Sequence, residues 1–281
     1  MEKKKKWSYL IMKSDAEYYG YRIAVPAEFE ALFSHFYFAE NKSENPITQT
    51  LLPTFQSIMV FSFGVPLSLV TKEKEEISMD KCLILGPIKQ AFTYVLPAGG
   101  EMLVVNFKDD AFFRFFGTAS LMEHLHPDDL LNDNCFTMLW TKLNKVHSVS
   151  DKVAHLLDFS RPYIQNRHPL TEQIIALGNT AISPVKEISA QQKLSERSVQ
   201  MNLKKHLGYS SREIGRYMRF LKAVELVQQL ASDQDAVNWF EVIEQCGYYD
   251  QSQLIHDFKH YLNLSPSKYL KFQQGICNSR G

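Results

Sequence analysis

The chain has no net charge: 31 lysines and arginines balance 31 acidic residues over 281 positions. A phosphate backbone calls for cationic side chains, so the whole-chain sum disfavours nucleic acid as a partner. Cysteine is scarce, with only Cys82, Cys135, Cys246 and Cys277, and no CxxC pair. That spacing excludes a zinc ribbon or a disulfide frame, and reduced, mostly buried thiols in a cytoplasmic protein are expected. No apolar run approaches about 18 residues, so no membrane span is expected. Met1–Lys6 is basic, but no apolar stretch follows it as in a secretory leader. The nucleophile elbow GxSxG, the P-loop and GxGxxG are all missing, so an enzyme reading has nothing to rest on and no cofactor is expected. What is present, 45% hydrophobic and 22% charged residues, is ordinary for a globular protein, and the length fits two domains.

Dividing the chain at Ser160 changes the charge picture. Residues 1–160 hold 16 basic and 20 acidic residues, a net of −4; residues 161–281 hold 15 and 11, a net of +4. Val185–Lys222 alone has nine basic residues (Lys186, Lys193, Arg197, Lys204, Lys205, Arg212, Arg216, Arg219, Lys222) against three acidic. Such a stripe is the usual footprint of nucleic-acid binding, with a merely solvated helix face as the bland alternative.

Secondary-structure signals change at the same place. Ser57–Phe63, Cys82–Leu85, Ala91–Leu96 and Met102–Phe107 are short apolar runs typical of strands, and Pro97–Gly100 reads as a hairpin turn. Fifteen of the 19 Phe residues precede Ser160, which suits a β-rich core. From about Asp128 the period becomes helical: Leu139, Leu143 and Val146 form one stripe, and Val153, Leu156, Leu157 and Tyr163 another. Tyr18–Tyr21 reads as core or interface aromatics.

Two helix–turn–helix patterns follow, Val185–Leu207 and Phe240–Leu262. In the first, Val185, Ile188 and Leu194 make the apolar side of a positioning helix. Ser195 is an N-cap, Val199 and Leu203 face inward, and Gly208 ends the helix in the left-handed region. Arg197, Gln200, Met201 and Lys204 are left on the outer face. Arginine pairs with guanine O6/N7 and glutamine with adenine N6/N7, so Arg197 and Gln200 are equipped to read base edges. Lys204 and Lys205 lie one turn later, at the level of phosphates. Ser210-Ser211-Arg212-Glu213 is a capping box that opens a helix running to about Leu230, with Ile214, Tyr217 or Met218, Leu221, Val224 and Gln228 along its stripe. Its polar face carries Arg212, Arg216, Arg219 and Lys222. At about 20 residues it spans about 30 Å, close to the ~34 Å between successive major grooves on one DNA face. In the second pattern Leu254 and Phe258 face inward, Gln251, Ile255 and His256 face outward, and Lys259 sits at the phosphate level.

Gly247–Lys259, followed by Leu264-Ser265-Pro266-Ser267-Lys268-Tyr269, resembles the signature of AraC/XylS-type transcription regulators, and Leu194–Gln200 resembles the recognition helix of that family's first helix–turn–helix. The resemblance covers roughly Thr171–Gln273. It implies an α+β chain: a β-rich, cupin-like amino-terminal domain, then an all-α domain of seven helices in two helix–turn–helix subdomains joined by one long helix. It also implies base reading by Arg197, Gln200, Met201, Gln251, Ile255 and His256. Phosphate contacts are expected from Lys204, Lys205, Arg212, Ser252 and Lys259. The sequence departs from the family where His256 replaces a usual Arg, Leu254 a common Phe and Asn263 a usual Gly. Asparagine also visits the left-handed region.

The implied layout is 1–127 for sensing, 128–170 as a helical linker and dimerisation segment, 171–273 for DNA binding and 274–281 as a tail. Phe61–Gly64, Leu85–Ile88 and Val105–Gly117 resemble, more weakly, regulatory domains attached to such proteins. Expected partners are double-stranded promoter DNA and a second copy, with RNA polymerase and an unidentified small-molecule effector allowed by family precedent. The competing reading is a small-molecule or metal-binding β-domain protein whose helical tail serves assembly only. Its one motif, Glu123-His124-x-His126-x-Asp128-Asp129, abuts Pro127 and a helix start, so a solvated loop is expected and no metal. Asp109-Asp110 is explained by a turn after the Met102–Phe107 strand.

Overall fold

The computed structural model describes residues 18–70, 76–119, 126–164, 167, 169–178, 184–233 and 237–271. They divide into two compact units. One holds the chain up to Leu51, Gln56–Ile88 and Phe92–Gly208; the other holds Leu52–Phe55, Lys89–Ala91 and the chain from Tyr209.

The first unit is built on two antiparallel sheets. One has the order β1 (Tyr18–Ile23), β2 (Phe33–Asn41), β9 (Glu101–Phe107), β4 (Ile58–Phe63), β7 (Cys82–Leu85). The other runs β3 (Ile47–Leu51), β8 (Phe92–Leu96), β5 (Leu67–Val70), β6 (Glu76–Met79). Without the added edge strand β1, this is the strand order of a jelly roll.

β4 is buried at every position, because both of its faces are covered. Ile58 and Val60 pack in the cluster that holds Leu67, Tyr94 and Leu96 of the second sheet. Met59, Phe61 and Phe63 join a Phe-rich cluster under α1 (Ala111–Phe116), α3 (Cys135–Asn144) and α4 (Val149–Ser160). Most of the early Phe residues therefore fill the layer between sheet and helices, where Phe107 alone meets the rings of Phe33, Phe112, Phe115 and Phe116. Inside the jelly roll, the Tyr18 hydroxyl is 2.8 Å from that of Tyr37 and 3.1 Å from that of Tyr94. Burial pushes all three phenols above their ordinary pKa. The opening aromatics do serve the core, apart from Tyr19, which is exposed.

Two expectations need correction here. Pro97–Gly100 does not close a hairpin: β8 pairs with β3 and β5, whereas β9 pairs with β2 and β4, so the turn carries the chain between sheets. Asn41 anchors that crossing, since its carbonyl accepts the Gly99 N–H at 2.9 Å and its own N–H reaches the Gly100 carbonyl. Nor does the helical period from about Asp128 run unbroken, with the Leu139 and Leu143 stripe left for dimerisation. It breaks into α2 (Pro127–Leu131) and α3, and Leu139 and Leu143 are buried in the Phe-rich cluster. The Asp128 carboxylate makes the break, accepting the N–H groups of Phe136 and Thr137 at the start of α3. At the other end of α3, buried Lys152 donates to the Leu143 carbonyl at 3.0 Å.

α5 (Pro169–Gly178), α6 (Pro184–Gln192) and α7 (Glu196–Leu207) complete the first unit. Val185 and Ile188 are buried as expected, but Leu194 is 36% exposed, because the turn places it at the rim.

The second unit contains α8 (Ser211–Asp233), α9 (Trp239–Cys246), α10 (Gln251–Leu262) and a further helical stretch at 266–271. From Pro169 on, seven helical segments lie among the described residues. The core stripe of α8 is Tyr217, Phe220, Ala223, Val224, Val227 and Leu230. It is rotated from the expected one: Met218 is exposed, and Leu221 and Gln228 lie only at its margin. Aromatic packing decides this, because Phe220 meets Phe258 and Tyr261 at ring centroids of 5.2 and 4.6 Å.

Candidate nucleic-acid interface

Local chemistry sets the ends of the helices that matter. Ser195 caps α7, its hydroxyl accepting the Ser198 N–H at 3.1 Å, and Gly208 ends it at φ +74°. A Cβ on Gly208 would collide with the Ala119 carbonyl and Pro87, so both conformation and space demand glycine there. Asp250 caps α10 by accepting the Gln253 N–H at 2.7 Å, and Asn263 ends it at φ +59°. The capping box before α8 is complete: Ser210 N–H and hydroxyl both donate to Glu213 Oε2, while the Ser210 hydroxyl accepts the Glu213 N–H. Lys89 Nζ sits 2.7 Å from Glu213 Oε1. Burial works to raise the Glu213 pKa, but Lys89 and Ser210 outweigh it and hold the carboxylate below its ordinary value.

On α7, Val199, Leu203 and Leu207 are buried, while Arg197, Gln200, Met201 and Lys204 are exposed, Met201 at 63%. Lys205 is exposed too, but its ammonium lies 5.6 Å from the Phe113 ring centroid, and the next residue, His206, meets the same ring at 4.1 Å. The carboxy-terminal turn of α7 thus rests on α1. On α10, Leu254, Phe258 and Tyr261 are buried, and Gln251, Ser252, His256 and Lys259 are exposed. Ile255 is half-buried beside a shallow groove lined by Trp239, Pro266 and Ser267.

The basic stripe on α8 departs from its expected role. Arg212 is exposed. Arg216 Nε is 2.6 Å from Asp257 Oδ1, and Arg219 Nη2 is 3.1 Å from Asp257 Oδ2. Asp257 is 1% exposed. Lys222 Nζ donates to the Gln245 carbonyl at the end of α9. Three of the four α8 cations therefore tie this unit together. For Arg219, burial alone would lower the pKa, but the bonds to Asp257 prevail and hold it above the ordinary value. Its guanidinium also lies 4.6 Å from the centre of the Tyr248 ring. Sequence reasoning missed Asp257, although a signal was available. It stands beside Phe258 on the inward side of α10, and an acid on an apolar stripe needs a partner.

In the candidate metal motif, Glu123 and His124 lie outside the described residues. His126 accepts the Asp128 N–H at Nδ1, so its Nε2 carries the proton and donates to Cys82 Sγ at 3.1 Å. Burial raises the Cys82 pKa, which keeps it a thiol. Among the described residues no group of three or more His, Cys, Asp and Glu side chains is placed to hold a metal ion, and no helix is long and apolar enough to cross a membrane.

A family model described as a helix-turn-helix domain matches residues 188–271. No curated protein matches the chain. Among solved structures it is similar to ToxT from Vibrio cholerae, at 11% identity and a TM-score of 0.39, covering 90% of this chain and 98% of that one. It is similar also to unsaturated fatty acid bound wild-type ToxT from Vibrio cholerae strain SCE256, at 14% identity and a TM-score of 0.38, covering 92% and 97%. An RmlC-like cupin protein from Desulfovibrio desulfuricans is similar at 11% identity and a TM-score of 0.26, covering 38% of this chain and 97% of that one. The matched residues contain both capped helices and the Gly247–Tyr269 pattern, and over residues 188–271 the chain carries a helix-turn-helix domain of the AraC type.

Proposed function

We propose that this is a cytoplasmic, sequence-specific regulator in which α7 and α10 each enter a major-groove segment. Arg197, Gln200 and Met201 read bases from α7, and Gln251, Ile255 and His256 from α10. Lys204, Lys205, Arg212, Ser252 and Lys259 bind phosphates. The observation that carries this reading is that each of these two helices is capped, packed by one apolar stripe, and left with a polar outer face. The 23 residues of α8 make it about 35 Å long, the scale of one DNA turn. Selection of binding sites from random duplexes tests the proposal. A recurrent motif that survives random competitor at moderate salt is expected; no motif would overturn it.

The domain layout 1–127, 128–170, 171–273 and 274–281 belongs to the same reading, with the jelly roll sensing an effector, pairing two copies, or both. Because Leu139 and Leu143 are already in the core, pairing of copies must use another face.

Lys204→Ala is expected to weaken binding to all duplexes alike. It should also make the slope of log affinity against log salt shallower by about 0.9, the value of one phosphate contact. Titrations at several salt concentrations check this, and an unchanged slope would remove Lys204 from the phosphate set.

A further inference from the structure

We infer that Arg216 is a positioning residue that presents His256 to DNA as a single hydrogen-bond donor, making guanine the base His256 prefers. This rests on the base-reading role proposed for His256.

Arg216 Nη2 lies 2.8 Å from His256 Nδ1. A guanidinium has only donors, so Nδ1 is the acceptor and the ring proton sits on Nε2. The His256 side chain is otherwise open, at 72% exposure. Its remaining polar edge is Nε2–H, a single donor.

That edge suits guanine, whose N7 and O6 are both acceptors in the major groove. Adenine sets an N6–H₂ donor beside its N7, and thymine sets a methyl beside its O4. An arginine at this site would donate twice and in a different geometry, so histidine here changes what is read and does not merely weaken it.

Arg216 can play this part because it is itself held. Its Nε reaches Asp257 Oδ1 at 2.6 Å, and the other Asp257 oxygen is taken by Arg219 at 3.1 Å. Its guanidinium also lies 5.6 Å from the Tyr261 ring centroid. The His256 ring lies parallel to that of His260, one turn on, at 6.4 Å. A buried carboxylate thus orients an arginine, and the arginine orients an exposed histidine.

The test starts from the motif selected by the full-length protein, remade as duplexes with 7-deazaguanine at one guanine at a time. One guanine is expected whose N7 removal weakens wild-type binding by about 5–10-fold, the worth of one hydrogen bond. His256→Ala should abolish the difference at that position alone. Arg216→Met should abolish the same difference while preference at the other positions remains. A folded Arg216→Met protein that still discriminates there overturns the inference. A His256→Ala protein with an unchanged motif overturns it one level earlier, by removing His256 from base reading. If Arg216→Met does not fold, nitrogen-15 spectra of histidine-labelled wild-type protein decide. A neutral His256 ring with the proton on Nε2 and a hydrogen-bonded Nδ1 supports the inference, and a proton on Nδ1 overturns it.

Discussion

Asp257→Ala is expected to destabilise the second unit by about 3 kcal/mol, one of the largest stability effects open to a single substitution in the chain. The Asp257 carboxylate is buried, and each oxygen holds a different arginine of α8. Removing one partner of a buried ion pair commonly costs about 3–5 kcal/mol, because the remaining charge is left uncompensated. Here the lower end applies, since the side chains of Arg216 and Arg219 are 30% and 26% exposed and water reaches them. In a unit of this size a loss of about 3 kcal/mol lowers the melting temperature by more than about 10 °C. Asp257→Asn keeps the shape, loses the charge, and should fall between the two. Hydrogen exchange at the amides of α8 and α10 reads the effect locally, and protection unchanged to within about 0.5 kcal/mol would refute the structural role. Replacing Asp257, Arg216 and Arg219 together by apolar residues should cost less than Asp257→Ala alone, because no charge is left stranded.

That network also marks where the sequence stopped being readable. Features set by neighbours a few residues apart were legible. Ser195, Gly208, the Ser210–Glu213 box and Asn263 all occupy the cap positions expected of them. β4, β7, β8 and β9 begin and end within about a residue of their apolar runs; for β4, β7 and β9, burial on both faces leaves few polar positions to blur the run. Features set by distant partners were not legible. Pro97–Gly100 has turn chemistry, but nothing local says that the next strand joins the other sheet, and the residue that holds the crossing, Asn41, is far back in the chain. The α8 stripe keeps Tyr217 and Val224 but turns away from Leu221 and Gln228, because Phe220 is drawn toward Phe258 and Tyr261. The dense positive charge of Val185–Lys222 is partly engaged within the fold. Arg216 and Arg219 answer an acid 41 and 38 residues away, and Lys222 answers a carbonyl. The exposed cations of α8 are Arg212 and Lys222, and Lys222 already donates to the Gln245 carbonyl.

With fewer free cations than the stripe implied, discrimination between DNA sequences falls more heavily on the two reading helices. The Arg197→Ala/Gln251→Ala double variant is therefore expected to lose most of its site preference. A good side-chain contact to a base edge is worth about 1–3 kcal/mol, and changes at separate helices add, so the pair should lose about 2–6 kcal/mol of discrimination. That is a fall of about 30-fold to 10⁴-fold in the ratio of specific to random binding. Binding to random duplexes should change far less, because only Arg197 carries charge and the phosphate contacts lie elsewhere. Both side chains are exposed, so melting should stay within about 0.5 kcal/mol of wild type, which separates lost reading from lost fold. Competition titrations of the selected motif against random duplex measure the ratio. If the helical part served assembly alone, neither substitution would move it. A ratio retained to within about threefold would therefore remove Arg197 and Gln251 as readers and return the helical part to that plainer role.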